Sequence, residues 1–535
     1  MYRLGLAVLL LGASALSGAP AKPVADPRIT SAHPVVLRKD APTEVVFRGV
    51  SLAGARAIWT ESDGVTGEVL HVQPDGESDA VRVRLRAGTN GPFRVRLLAA
   101  RGVTNEVTLR TTADEVMNEP AVTLERDPVM VTGRLANKGE TDTIWMQARR
   151  GQVVTFTAGG NFDPSITLAE PTGSWFEERR LNRVAFNDEP LHFPGLSQES
   201  RLVHRFERDG RYAVQVRAFS GQGGPDLSYW LRIGPGVGDE PSLKPVNVGQ
   251  WEERLFVRRL SADWLKRMAL RGGAAEAAEP AVVAADAAVL PIPGVVEGRI
   301  TKPAEVHRVK MKLDKAQDLA IEVETPQATM PRFNPVVRLL AADGSEMVTN
   351  VYTKRNNNGL YMMKMIQAKS TFTLRAPGEY TLEIRDITTD VAGDDFAYRV
   401  LVRPQIPHVG KVDVVEDRIN LEPGQSKAIT VNVDREEEFK GLVLVGAEGL
   451  PAGVTATAGM ANPVERPPLP NGGRVERYVA KPQTATLILS AAADAVPGEV
   501  PVKVRVLVRT VVDGQAGEAI VAKEIPVLVI PRRPS

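Results

Sequence analysis

The chain has 535 residues, too many for one hydrophobic core and enough for roughly three to five domains. Its 66 basic and 65 acidic residues leave a formal charge of +1, so no global field favours nucleic acid or an anionic membrane. The absence of cysteine excludes a disulfide framework, thiol catalysis and cysteine-ligated zinc, and leaves any fold to packing alone.

The chain opens on an export address. Met1-Tyr2-Arg3 carries one positive charge, Leu4 to Leu16 carries none, and Ala19-Pro20-Ala21 supplies small residues for cleavage. Residues 1–21 are expected to be a signal peptide, with Lys22 starting a mature chain in a bacterial periplasm, at the cell surface or in the medium. No later segment reaches the roughly 18 apolar residues of a membrane span, so none is expected in the mature chain.

From 27 to 112 the pattern predicts one strand after another. Val81-Arg82-Val83-Arg84-Leu85-Arg86 and Phe93-Arg94-Val95-Arg96-Leu97 alternate apolar with charged residues, the period of a half-buried strand, with Gly91-Pro92 as the turn between them. If Arg82, Arg84, Arg86, Arg94 and Arg96 share one outward face, they form a basic plate for an acidic polysaccharide. The same alternation also suits a solvated face that discourages edge pairing.

Residues 120–235 and 291–405 read as two copies of one unit. Gly133-Arg134-Leu135 is echoed by Gly298-Arg299-Ile300, and Asp163-Pro164 by Asn334-Pro335. Asp209-Gly210-Arg211-Tyr212 is echoed by Pro377-Gly378-Glu379-Tyr380, and Tyr229 by Tyr398. Between the copies, 236–290 breaks the β rhythm. Ser261 to Leu270 has the pattern of a short basic helix, with Trp264 and Met268 four apart, followed by an alanine-rich linker. Trp264 is a candidate docking residue, or part of a stripe packed on a neighbouring domain. Alternation resumes over 410–533, where Val502 to Arg509 is a strong strand, and Pro526 marks the last strand as an edge. The whole predicts an all-β string of four β-sandwiches with one helical linker.

Several segments carry family resemblances. Gly49-Val50-Ser51-Leu52-Ala53-Gly54-Ala55, after the proline-marked Pro27 to Pro34, resembles the IPT/TIG immunoglobulin-like family. Gly133-Arg134-Leu135, Lys138-Gly139-Glu140-Thr141-Asp142, Asp163-Pro164, Asn187-Asp188-Glu189 and Asp209-Gly210-Arg211-Tyr212 resemble the bacterial pre-peptidase C-terminal (PPC) domain. The second copy departs from that pattern, with His307 at the usual aspartate and Asn334 in place of the aspartate of the D-P pair. Leu421-Glu422-Pro423-Gly424 and Gly449-Leu450-Pro451 are similar to immunoglobulin-like modules found beside such repeats. The resemblance implies jelly-roll-like sandwiches and an accessory role in binding, secretion or assembly.

Asp163, Asn187, Asp188 and Glu189 offer the hard oxygen ligands that calcium takes, provided their strands are antiparallel neighbours. Such residues also suit turns for conformational reasons. The six histidines are scattered with no H-E-x-x-H, and no G-x-S-x-G elbow or phosphate-cradling glycine loop occurs, so no enzyme is expected. Glu322, Glu324 and Glu383 alternate with apolar residues and read as a solvated strand face. The expectation is a non-catalytic exported envelope protein that binds a partner protein or a polysaccharide. The alternative is a calcium-stabilised accessory or secretion-assembly module for a secreted hydrolase or protease.

Overall fold

The structure is a computed structural model. It describes residues 26–75, 78–118, 128–171, 181–187, 199–236, 281–325, 333–355, 362–366, 369–387, 392–394, 396–461 and 482–532. The expected signal peptide and the helix around Trp264 lie outside them. Every regular element among the described residues is a β-strand, and these form an all-β molecule of stacked sheets around four apolar cores.

The first core lies between a sheet led by Thr43–Val50 and Ser78–Ala87 and one led by Gly91–Ala99 and Val107–Thr112. Period-two alternation is what fills it. Val81, Val83 and Leu85 point inward and are fully buried, whereas Arg82, Arg84 and Arg86 between them are exposed. Each such apolar side chain contributes about 1.5–3 kcal/mol by leaving water.

The second and third cores are built by one topology used twice. In each, the sheet that carries the strand ending on the Gly-Arg pair gains a parallel edge strand: Glu115–Asn118 beside Val129–Arg134, and Ala281–Ala284 beside Gly294–Arg299. The strand registers coincide. Gly133 faces Tyr229 as Gly298 faces Tyr398, and Asp142 faces Val216 as His307 faces Ile384. Pro164 faces Ala218 as Pro335 faces Asp386.

The repeated motifs have repeated physical jobs. The Tyr212 hydroxyl donates to the Arg208 carbonyl at 3.2 Å, and the Tyr380 hydroxyl to the Ala376 carbonyl at 2.8 Å, each pinning its corner four residues upstream. Glu140 accepts the Asn137 amide at 2.6 Å, and Glu305 accepts the Lys302 amide at 3.0 Å, closing the same turn.

The fourth core lies between a sheet led by Ser426–Glu436 and Pro482–Ala491 and a larger one. The larger sheet runs in the order Ile419–Leu421, Ile520–Val529, Val502–Val512, Leu442–Glu448, Gly459–Ala461. Pro526 sits in the second strand of this order, so the expected edge position is corrected: a short parallel strand, Ile419–Leu421, lies outside it.

Candidate functional site

The chemistry-bearing side chains collect where sandwiches meet. Between the third and fourth, Arg403 on Ala397–Pro404 and Glu322 on Gln317–Glu324 point away from their own core, yet are 3% and 1% exposed because the fourth sandwich covers them. Arg403 Nε donates to Glu322 Oε1 at 2.9 Å, while its two terminal nitrogens fork onto Glu437 at 2.7 Å each. Glu437 also accepts the Ile406 amide at 2.5 Å. Lys369 bonds both Glu437 and, at 2.5 Å, Glu436. His408, fully buried, donates from Nδ1 to the Ile406 carbonyl at 2.6 Å and sets Nε2 3.3 Å from Glu436.

The backbone bends to make this cluster. Glu437 and Glu438 adopt φ of 52° and 61°, left-handed values that cost residues with a Cβ on the order of 1 kcal/mol or more. The bonds made by the Glu437 carboxylate offset that cost. Burial pushes the Glu437 carboxyl up, but the Arg403 hydrogen bonds and charge, with Lys369 and His408, outweigh it and hold it at about 2. Glu436 is likewise pushed up by burial and held at about 2 by His408 and Lys369.

His408, Glu436 and Glu437 offer three metal-type ligand atoms within 4.8 Å of one another. The Lys369 ammonium already bonds both carboxylates, so the cation their charge calls for is built into the chain. The arrangement is a buried ionic rivet between two sandwiches.

A second junction joins sandwiches distant in sequence, the first and the fourth. The Asn420 side chain accepts from the Val103 amide at 2.9 Å and donates to the Val103 carbonyl at 3.0 Å. Gly102 makes this approach possible: at φ +117° it lies so close that a Cβ would fall 2.2 Å from the Asn420 side chain. Around this pair, Arg96 donates to Asp417 at 3.1 Å and to the Thr104 carbonyl at 3.0 Å. Arg418 donates to the Pro27 carbonyl at 2.9 Å, and Lys427 to Asp26 at 2.7 Å. Burial pushes the Asp417 carboxyl up, but Arg418, Arg96 and the Glu106 amide pull it below its ordinary value.

A third junction joins the first and second sandwiches. Val36, Met130 and Trp230 form a small buried cluster, with the Arg110 guanidinium 4.4 Å over the Trp230 ring and 2.5 Å from Glu199. Arg232 reaches Asp114 at 3.0 Å. Contacts therefore run second to first to fourth to third, an order quite unlike that of the chain.

The five arginines of the expected plate do not share a face. Arg82, Arg84 and Arg86 lie on one sheet of the first sandwich, and Arg94 and Arg96 on the sheet across the core, so the two sets point in opposite directions. Arg96 is 6% exposed inside the first–fourth junction. Arg84 pairs with Glu68 at 2.6 Å, and Arg82 with Glu44 at 3.8 Å, which offsets two of the three charges on the remaining strip.

Pro164–Pro171 and Leu181–Asn187 do pair antiparallel, which brings Asp163 and Asn187 to one end of the second sandwich. The Asn187 amide donates to the Arg201 carbonyl at 2.5 Å. Asp188, Glu189 and Trp264 lie outside the described residues. Glu322 and Glu383 are 1% and 2% exposed, not solvated as the alternation suggested, each lying beneath arginine. His408 and Glu437 carried no sequence signal, because nothing local marks a histidine that another domain covers.

No family model matches the chain. No curated protein matches it. Among solved structures it is similar to surface-layer protein SbsC, domains 1–6, at 10% identity and a TM-score of 0.15, over 95% of this chain and 55% of that one. It is also similar to the surface-layer protein rSbsC(31-844), at 9% identity and a TM-score of 0.14, over 95% and 54%. The chain thus spans about half the length of the structures it matches. No described helix is long and apolar enough to cross a membrane.

Proposed function

We propose that this protein is a non-catalytic exported scaffold of a bacterial envelope. Its first and last sandwiches form a fixed centre, and its two PPC-like repeats stand on either side to engage a partner protein. The observation that carries this reading is the use made of buried charge. Arg96, Asp417, Arg403, Glu322, Glu436 and Glu437 are all spent on joining sandwiches, which supports a load-holding or positioning role. The pairing of Arg82 and Arg84 with glutamates favours a protein partner over an acidic polysaccharide held by an arginine plate.

The test is a pull-down with residues 22–535 on the producing organism's envelope fraction, with retention on washed insoluble wall scored in parallel. Enrichment of one or a few proteins is expected. Retention on wall material with no enriched protein would sink the partner reading and replace it with glycan binding.

A further inference from the structure

Two of the three junctions are sewn by the chain itself. Val107–Thr112 of the first sandwich and Glu115–Asn118 of the second have two residues between them. Ala397–Pro404 of the third and His408–Val414 of the fourth have three. Each of these junctions also holds buried side chains, the Val36–Met130–Trp230 cluster in one and the Arg403 rivet in the other. The chain is therefore two halves, the first sandwich with the second and the third with the fourth.

The first–fourth seam between the halves is of another kind. The chain crosses from one half to the other through residues 237–280, outside the described ones, and these 44 residues can reach up to about 150 Å. Among the described residues no buried apolar cluster bridges the seam. It is held by the Asn420–Val103 bonds, by Arg56 donating to the Glu499 carbonyl at 2.6 Å, and by ion pairs. Such a polar contact is the kind that forms and parts between folded domains.

We propose that two copies of this chain exchange halves at this seam, the first sandwich of each docking on the fourth sandwich of the other. The charges say what fits. Arg96 and Arg101 of the first sandwich meet Asp417 and Glu422 of the fourth, while Asp26 and Glu61 of the first meet Lys427 and Lys503 of the fourth. Complementarity in both directions specifies first on fourth, and the close Gly102–Asn420 approach adds shape to charge. A reciprocal exchange closes on a two-fold axis and leaves no seam unfilled. Monomer and dimer then hold the same bonds, so the concentration that divides them is the effective concentration the connection imposes within one chain, on the order of millimolar or below. The exchange requires nothing of the partner-binding role proposed above.

The chain has no cysteine, so single cysteines report on it without interference. Asp26 and Lys427 meet at 2.7 Å at the partly exposed rim of the seam. Residues 22–535 carrying Asp26→Cys are mixed with the same chain carrying Lys427→Cys and treated with a short bis-maleimide. A cross-linked dimer is expected, in a yield that rises with total protein from about 10 to 500 µM and is absent from either variant alone. Asn420→Arg, too large for the Gly102 contact, should abolish it when added to both chains. The double variant, Asp26→Cys with Lys427→Cys, should cross-link within one chain at the lowest concentration. A mixture that gives no dimer while the double variant closes internally overturns the proposal. So does a dimer that survives Asn420→Arg, which would be collision alone, and so does a double variant that fails to close, which would remove the seam itself.

Discussion

At Arg403 one guanidinium holds two buried carboxylates, so truncating it strands Glu322 and leaves Glu437 to Lys369 and the Ile406 amide alone. Arg403→Ala should cost about 3–5 kcal/mol in urea unfolding, the penalty of an uncompensated buried charge. A loss below about 1 kcal/mol would show that water reaches the junction. Acid probes the same cluster from the other side. Glu436 and Glu437 are held at about 2 in the fold against an ordinary 4.5. A depressed carboxyl contributes stability above its ordinary value and loses it as pH falls through its folded value. Stability should therefore drop between pH 4.5 and about 2, and drop less steeply in the Glu436→Gln, Glu437→Gln double variant, as followed by unfolding at stepped pH. Equal slopes in parent and variant would remove these carboxylates from the acid response. The alternation around Glu322 and Glu383 was legible in sequence and names the side of the strand each occupies. It is blind to whether an arginine or another domain covers that side.

Strands were the most legible level. Valine and arginine alternation at Val81 to Arg86 predicted both the strand and its inward face, because a period of two is fixed by the pleat. The duplication was visible because the repeated residues have fixed geometric tasks, such as the corner hydroxyls of Tyr212 and Tyr380. Gly298 is a case where the strand pair sets the residue. A Cβ there would meet the Tyr398 hydroxyl at 2.5 Å and Ala285 at 2.8 Å, between strands that must stay in register. Gly298→Ala should destabilise the third sandwich by about 1–3 kcal/mol and raise amide exchange along Gly294–Arg299. Unchanged exchange would mean that the tyrosine simply moves aside. The arginine plate failed at this level, since a hairpin connection does not say whether its two strands stay in one sheet or cross to the other.

At the scale of the molecule, the Asn420–Val103 bonds join residues more than 300 positions apart. Combining Gly102→Ala with Asn420→Ala should open the first–fourth junction while leaving each core intact. Small-angle scattering should then show a larger radius of gyration, with near-parent far-UV circular dichroism. An unchanged radius would show that the other contacts hold the two sandwiches together without this pair. By itself, the sequence determined that the chain is all-β, where many of its strands run and that one unit occurs twice, because these follow from local alternation and local turn chemistry. Only the tertiary structure decided that the first sandwich docks on the fourth and that Arg96 and Glu322 are buried. Those outcomes depend on which surfaces meet across hundreds of residues, and no period in a single strand records that.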